Sequence, residues 1–227
     1  MTEPQKTELE SSIKQKHIAE EHQLIGQVPK LLVSLSLLVI GICYFFLPPT
    51  LRVGPEWSLL VIEIILLIPM WQYWVTGRAI PHRIARPLSL TAMGVVTLAL
   101  IIEMVALITK ISTFSNGFIL LRSATLLWIS NVLVFAVWYW NIDGGGPRKR
   151  HENNHQASDF LFPQQVNGAS WETHFFDYLF VAFTGATAFS PTDTAPLSRR
   201  AKILMMLEGL ISFMIVAVLI SRVANIF

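Results

Sequence analysis

Hydroxyl groups and a carboxylate cluster at the end of a short apolar run in the C-terminal third of the chain. The run covers residues 175–189 and leads into a Ser-Pro turn. Hydroxyls, carbonyls and carboxylates are the groups that line cation pathways through membranes. We therefore expect this segment to line a polar path, with Asp193 at its mouth. The alternative is that its small polar residues cap the helix and pack against neighbours, while Asp193 caps a turn.

Charged side chains also lie inside long apolar runs. Glu63 and Glu103 each lie within such a run, and Arg122 lies about one turn into another. A carboxylate in lipid is costly and faces a partner or water. We expect Glu103 to pair with Arg122, because the two lie at similar depth if their helices are antiparallel. The alternative for Glu103 is a proton relay, and the sequence shows no evident partner for Glu63.

The composition indicates an integral membrane protein. The chain has 227 residues, of which 53% are hydrophobic and 14% charged, and its mean hydropathy is +0.53. A soluble domain carries about 25% charged residues. One core of this size cannot bury so much apolar surface, so lipid must solvate most of it. The net charge of +2 offers no strongly basic surface for nucleic acid.

Five apolar runs are long enough, or nearly so, to cross a bilayer, which takes roughly 20 helical residues. They cover residues 31–47, 57–75, 88–108, 118–140 and 203–220. The sixth run, 175–189, would reach only about 22 Å as a helix and is more typical of a re-entrant half-helix. The predicted fold is an all-α integral membrane protein with five transmembrane helices and one re-entrant half-helix.

The runs divide the chain into three parts. Residues 1–30 form a polar N-terminal segment, 31–110 a three-helix membrane bundle, and 118–227 the last two spans with the half-helix. A polar connector, 141–174, lies within the third part. The distribution of Lys and Arg predicts a multi-pass protein of the cell membrane with a cytoplasmic N-terminus.

The third part resembles the pore module of tetrameric potassium channels, in which an outer helix, a pore helix, a filter and an inner helix follow one another. The resemblance covers 118–227 and is closest over 177–198. Asp193 and Pro196 match the D-x-x-P that follows the filter in that family. The resemblance implies a homotetramer in the lipid bilayer and monovalent cations as the permeating ions. The pore or filter-like positions are Thr184, Thr187, Ala188, Phe189, Ser190, Pro191, Thr192 and Asp193.

The filter-like segment departs from that family at its glycines. Where the family has T-V-G-Y-G-D, residues 188–193 are A-F-S-P-T-D. Turning consecutive carbonyls to one side requires left-handed backbone that glycine adopts readily, and Pro191 fixes its own φ. We therefore expect weak selectivity rather than a potassium-selective cage. The Lys and Arg distribution also places this loop on the cytoplasmic side, whereas those channels have it outside, and the sequence leaves this conflict open.

The whole chain also resembles an uncharacterised family of small bacterial multi-pass membrane proteins. The shared segments are VWYWNIDGGGP at 137–147, DFLFPQ at 159–164 and AFSPTDTAPLSRRAK at 188–202. This resemblance implies an architecture rather than an activity.

The polar connector contains the residues most typical of a metal site. His151, Glu152, His155 and Asp159 include an H-x3-H spacing, which suits one turn of helix. Gly and Asn neighbours weigh against a helix there and no Cys supports a site, so we expect a solvated connector with no metal and no cofactor. The chain has no Walker A, G-x-S-x-G or H-E-x-x-H motif, so we do not expect an enzyme.

Two functional hypotheses follow. The first is a weakly selective cation channel built from several copies of the chain. The second is a non-conducting scaffold or accessory subunit with a degenerate pore-like fold, and oligomeric state discriminates between the two. A third, weaker hypothesis is a carboxylate-dependent transporter that uses Glu63 and Glu103.

Overall fold

The computed structural model is mostly helical. It describes residues 31–52, 54–55, 57–59, 61–62, 64, 82–114, 116–166, 171–188 and 193–224. The helices are α1 (Leu31–Phe46), α2 (His82–Thr109), α3 (Gly117–Ile142), α4 (Pro147–Glu152), α5 (Phe175–Ala188) and α6 (Arg199–Ala224). Short 3-10 turns cover Ile111–Thr113, Asp143–Gly145 and Pro163–Gln165. Residues 58–59, 61–62 and 64 are also helical.

Three of the described helices are long and apolar enough to cross a membrane. They are α2 over Arg86–Thr109, α3 within Gly117–Glu152, and α6 over Arg199–Ser221. These correspond to three of the five spans predicted from sequence and are consistent with a membrane location. The run 31–47 forms the shorter apolar helix α1. Most of the run 57–75 and all of 1–30 lie outside the described residues.

One strand of the polar connector pairs with a strand just before α6, a small sheet that the all-α prediction did not include. Strands β1 (Phe160–Leu161) and β2 (Ala195–Pro196) pair antiparallel, with Phe160 opposite Pro196. The pairing joins the connector to the residues immediately before α6. The sheet satisfies backbone groups at this point, so the connector is folded onto the bundle rather than freely solvated.

The end of α3 is set by a run of three glycines. Gly144 has φ of 58°, a left-handed backbone conformation that residues other than glycine rarely adopt. A Cβ at Gly144 would lie 2.7 Å from Cγ of Arg150, so this position needs glycine for space as well as for conformation. Pro147 then begins α4 at a position where its missing N–H is no loss.

Helix α3 lies at the centre of the described fold and runs antiparallel to α5. Trp140, late in α3, contacts Phe175 at the start of α5, with ring centroids 6.0 Å apart. Trp128, three turns earlier in α3, lies 5.8 Å from Phe183 in the second half of α5. On its other side α3 contacts α2, where Trp138 donates a hydrogen bond to the Thr97 hydroxyl at 2.8 Å.

Helices α5 and α6 run in the same direction. The start of α6 lies at the end of α3, because Arg200 pairs with Asp159, and Asp159 in turn accepts from Gly144. Further along, Ser212 of α6 donates to the carbonyl of Ala186, near the end of α5, at 2.6 Å. The chain therefore leaves α5 beside the middle of α6 and is next described beside the start of α6.

Candidate functional site

The candidate site is the half-length helix α5 together with the groups that fix its two ends. The helix has 14 residues and so is about 21 Å long. Asp177 caps its start, because the Asp177 carboxylate accepts a hydrogen bond from the backbone N–H of His174 at 2.7 Å. Tyr178, which is fully buried, donates to the Asp143 carboxylate at 2.5 Å. The start of α5 is thereby attached to the end of α3.

A buried carboxylate, that of Asp159, joins the connector to the start of α6 beside the end of α3. Asp159 is 1% exposed, and Nε and one terminal nitrogen of Arg200 each donate to it at 2.5 Å. Gly144 donates to the same carboxylate at 3.0 Å, and the Asp159 carbonyl accepts from Leu197 at 2.8 Å. Burial alone would raise the pKa of Asp159, but hydrogen bonds from Arg200 and Ser198, with the Arg200 charge, hold it below its usual value.

Two further buried charged residues, Asp143 and Arg150, lie directly beside this pair. Asp143 accepts from the backbone of Asp159 at 2.9 Å and of Phe160 at 3.3 Å. Arg150 is 3% exposed and donates to the carbonyls of Trp140 and Asp143 at 2.6 and 2.9 Å. Its guanidinium lies 4.3 Å from the Trp140 ring centroid. The expectation of a solvated connector is therefore wrong for this part, since Asp143, Arg150 and Asp159 are buried. Both carboxylates accept hydrogen bonds from other elements, whereas Nε and one terminal nitrogen of Arg150 have no partner among the described residues.

A polar cluster of five residues lies where the C-terminal half of α5 meets α3 and α6. These residues, the Glu208 cluster, are Asn131, Tyr139, Gly185, Glu208 and Ser212. Glu208 is fully buried and its carboxylate accepts a hydrogen bond from the Tyr139 hydroxyl. Asn131 donates to the Glu208 carbonyl at 3.2 Å. Among the described residues, Oε1 of Glu208 and Oδ1 of Asn131 have no hydrogen-bond partner.

Gly185 allows the close approach of α5 and α6. A Cβ at this position would lie 3.0 Å from Oε2 of Glu208, closer than ordinary packing allows. The sequence patterns alone do not predict this cluster. The sequence feature that could have indicated it is Glu208, a carboxylate inside an apolar helix that needs a partner or water. Ser212 follows one turn later on the same face of that helix.

The predicted pore-lining residues are only partly described. Thr184 donates to the carbonyls of Phe180 and Val181 at 2.8 and 2.9 Å, and Thr187 donates to Phe183 at 2.6 Å. Residues 189–192, which include Phe189, Ser190, Pro191 and Thr192, lie outside the described residues. Ala188 ends α5, and Asp193 is exposed next to β2.

The predicted pair of Glu103 and Arg122 is not formed. Arg122 donates to the carbonyl of Phe46 at 3.3 Å, and Glu103 is buried with Oε1 unpartnered within the described part of the chain. Glu103 instead lines a cavity of about 10 Å³ with Tyr44 and Ser130, room for about one water. Similar depth in the membrane is not enough to predict that Glu103 and Arg122 pair, because it does not say towards which neighbour each side chain points. Glu63 lies outside the described residues.

The end of α5 can stabilise a cation. A helix carries about half a negative charge at its C-terminus, where the last carbonyls lack partners within the helix. This end lies beside Ser212, which is 13 residues, or about 20 Å, along α6 from Arg199. The negative end of α5 is therefore near mid-depth of a helix long enough to span a membrane.

Comparison with known proteins does not assign a function to this site. No protein-family model matches the chain, and neither a curated protein nor a solved structure matches it.

Proposed function

We propose that the protein is a channel-like integral membrane protein that assembles from several copies and conducts cations with weak selectivity. The observation that carries this proposal is the common direction of α5 and α6. A helix that ends at mid-depth beside Ser212, in a chain that is next described at the start of α6, supports a re-entrant segment. Six residues separate Ala188 from Ala195, and the seven steps between them span about 24 Å when extended, enough for a return of about 20 Å.

The chemistry of this segment favours cations. The negative end of α5 attracts positive charge at mid-depth, and half-helix ends of this kind bind cations in transporters and channels. Thr187 and Asp193 are exposed in the single chain. Thr187 provides a hydroxyl oxygen in the last turn of α5, and Asp193 provides carboxylate oxygens in the chain that follows. In this proposal residues 188–193 form the filter-like segment, and its lack of glycine makes selectivity weak.

Exposed apolar faces support an assembly of copies. Phe176, Phe180 and Phe183 form one exposed face of α5, and Met206 and Phe213 are exposed on α6. A single half-helix cannot enclose a path, so conduction requires several copies around a shared axis. A tetramer is the arrangement that the resemblance to potassium channels implies.

The second candidate function is a non-conducting scaffold or accessory subunit. The observation that favours it is that the hydroxyls of Thr184 and Thr187 donate to carbonyls of their own helix. These contacts suit helix packing as well as they suit a pore. A scaffold would share the fold but not support flux.

Flux of cations through liposomes tests the proposal. Purified protein in liposomes is expected to pass K⁺ and Na⁺ at comparable rates, and to migrate as an oligomer in detergent. Asp193→Asn is expected to slow the flux several-fold, because it removes a carboxylate from the mouth. Glu152→Gln, an exposed carboxylate of the connector, is the matched control and should leave the rate unchanged. A folded oligomer without flux would instead indicate a scaffold.

Surface labelling tests the re-entrant geometry. Single cysteines are placed at Ala157, Gly117 and Asp193 in a background where Cys43, which is buried, is replaced by Ala. Asp193→Cys and Ala157→Cys are expected to react with an impermeant maleimide from the same side of the membrane. Gly117→Cys, at the other end of α3, should react from the opposite side. Labelling of positions 157 and 193 from opposite sides would exclude the re-entrant segment.

A further inference from the structure

Two histidines and a glutamate come together on the surface of the connector. The metal-binding atoms of His151, His155 and Glu172 all lie within 4.8 Å of one another. Nε2 of His155 is 3.8 Å from Oε1 of Glu172, and the two imidazole centroids are 5.7 Å apart. His151 lies in the last turn of the short helix α4, whereas Glu172 lies on the segment that enters α5.

The cluster does not arise from the helical spacing of the two histidines. Helix α4 ends at Glu152, and the chain then reverses through Asn154 and His155, which have φ of 50° and 52°. Left-handed backbone at residues other than glycine is uncommon and costs about 1 kcal/mol or more, so surrounding contacts must enforce it. His155 is held on both sides, because it donates to the carbonyl of Arg150 at 2.9 Å and its own carbonyl accepts from Gln165 at 2.8 Å.

The ring of His155 lacks hydrogen-bond partners in the described part of the chain. Both of its nitrogens are buried at the atomic level and neither makes a hydrogen bond there. A buried polar atom without a partner is rare in proteins and often indicates an ion or water at that place. A neutral imidazole nitrogen has a lone pair that can bind a metal ion.

We propose that His151, His155 and Glu172 bind a divalent metal of the zinc class. Two imidazoles and a carboxylate are a known ligand set for zinc, with a fourth position left for water. Ligand atoms around tetrahedral zinc are about 3.4 Å apart for bonds of about 2.1 Å. The longest of these separations must shorten by up to about 1.4 Å to reach this spacing, which side chains at positions 151 and 172 can supply because both are exposed.

The bound metal joins α4 to the segment that leads into α5. Asp159 takes no part, because its carboxylate is engaged by Arg200. His174 is also outside the ligand set, because its ring nitrogens are not among the ligand atoms that lie within 4.8 Å of one another. The site thus links two parts of the connector close to the start of the half-length helix, and it does not depend on conduction.

Metal binding to the intact protein tests this site directly. Protein purified without a polyhistidine tag is stripped with chelator and titrated with Zn²⁺ in competition with a chromophoric chelator. One zinc per chain is expected in the wild type. His151→Ala and Glu172→Gln are each expected to weaken binding about tenfold or more. His174→Ala is the matched control and should bind zinc as the wild type does.

Co²⁺ gives an independent spectroscopic check. In the wild type, Co²⁺ is expected to show the intense visible bands of a tetrahedral site, and His155→Ala should abolish them. His151 and Glu172 are exposed, so their variants should retain the elution volume of the folded protein. Equal zinc affinity in the wild type and the His151→Ala variant would overturn the proposal, as would the absence of binding. Neither result depends on flux, so failure here is distinct from failure of the channel hypothesis.

Discussion

Asp159→Asn is expected to destabilise the folded protein by about 2–4 kcal/mol. The carboxylate is 1% exposed and accepts two hydrogen bonds from Arg200 and one from Gly144. An amide of the same shape cannot accept all three and no longer balances the guanidinium. The Arg200 side chain is 52% exposed, so water solvates the stranded charge and the loss falls below that of a fully buried pair. Size-exclusion chromatography after heating in detergent measures the apparent unfolding temperature.

Asp193→Asn is the control for Asp159→Asn, because its carboxylate is exposed and should change stability by about 0.5 kcal/mol or less. The double variant Asp159→Asn with Arg200→Gln should lose less than the sum of the single variants, because the second substitution removes a charge already stranded by the first. Strict additivity would show that the pair does not stabilise the connector.

The pH dependence of Asp159→Asn follows from the lowered pKa of the native carboxyl. A depressed pKa contributes stability that is present above the ordinary value of 3.8 and is lost as pH falls through the lower native value. The difference in unfolding temperature between wild type and variant should therefore stay constant from neutral pH to about pH 5 and shrink below about pH 4. A difference that vanished nearer neutral pH would assign the effect to another group.

The sequence predicted best the features that depend on local composition. Lipid selects long apolar runs, so α2, α3 and α6 were recognisable from 88–108, 118–140 and 203–220. The half-length helix was found in the same way, because its run is both short and interrupted by polar residues. These patterns need no knowledge of which helix contacts which.

Contacts between distant residues could not be predicted in this way. Asp159 and Arg200 are 41 positions apart, and Tyr139 and Glu208 are 69 apart. Each pair depends on the packing of three elements, whereas composition indicates only that a charge needs a partner. The wrong pairing of Glu103 with Arg122 has the same cause. The H-x3-H spacing contains two of the three residues of the proposed metal site, although the sequence predicted no metal there, and the third residue, Glu172, lies outside that spacing.

Gly185→Val is expected to displace α5 from α6 and to destabilise the protein by about 1–3 kcal/mol or more. The new Cβ would lie 3.0 Å from Oε2 of Glu208, and that carboxylate has no free space because Tyr139 holds it in a buried position. Gly185→Ala should cost less, because the better helix propensity of Ala offsets part of the overlap. The apparent unfolding temperature and the oligomer profile in detergent measure both effects.

Gly94→Val in α2 is the matched control for Gly185→Val. A Cβ at Gly94 meets nothing within 4 Å in the described structure, so valine there should be tolerated. The double variant Gly185→Val with Glu208→Ala should lose less stability than the two single variants lose together. The reason is that Glu208→Ala removes Oε2, the atom with which the valine would overlap. If Gly94→Val and Gly185→Val were equally harmful, the effect would come from β-branching within a helix rather than from the approach of α5 to Glu208. Rescue by Glu208→Ala would instead show that the end of α5, and with it the negative end of its dipole, is held at this depth by contact with α6.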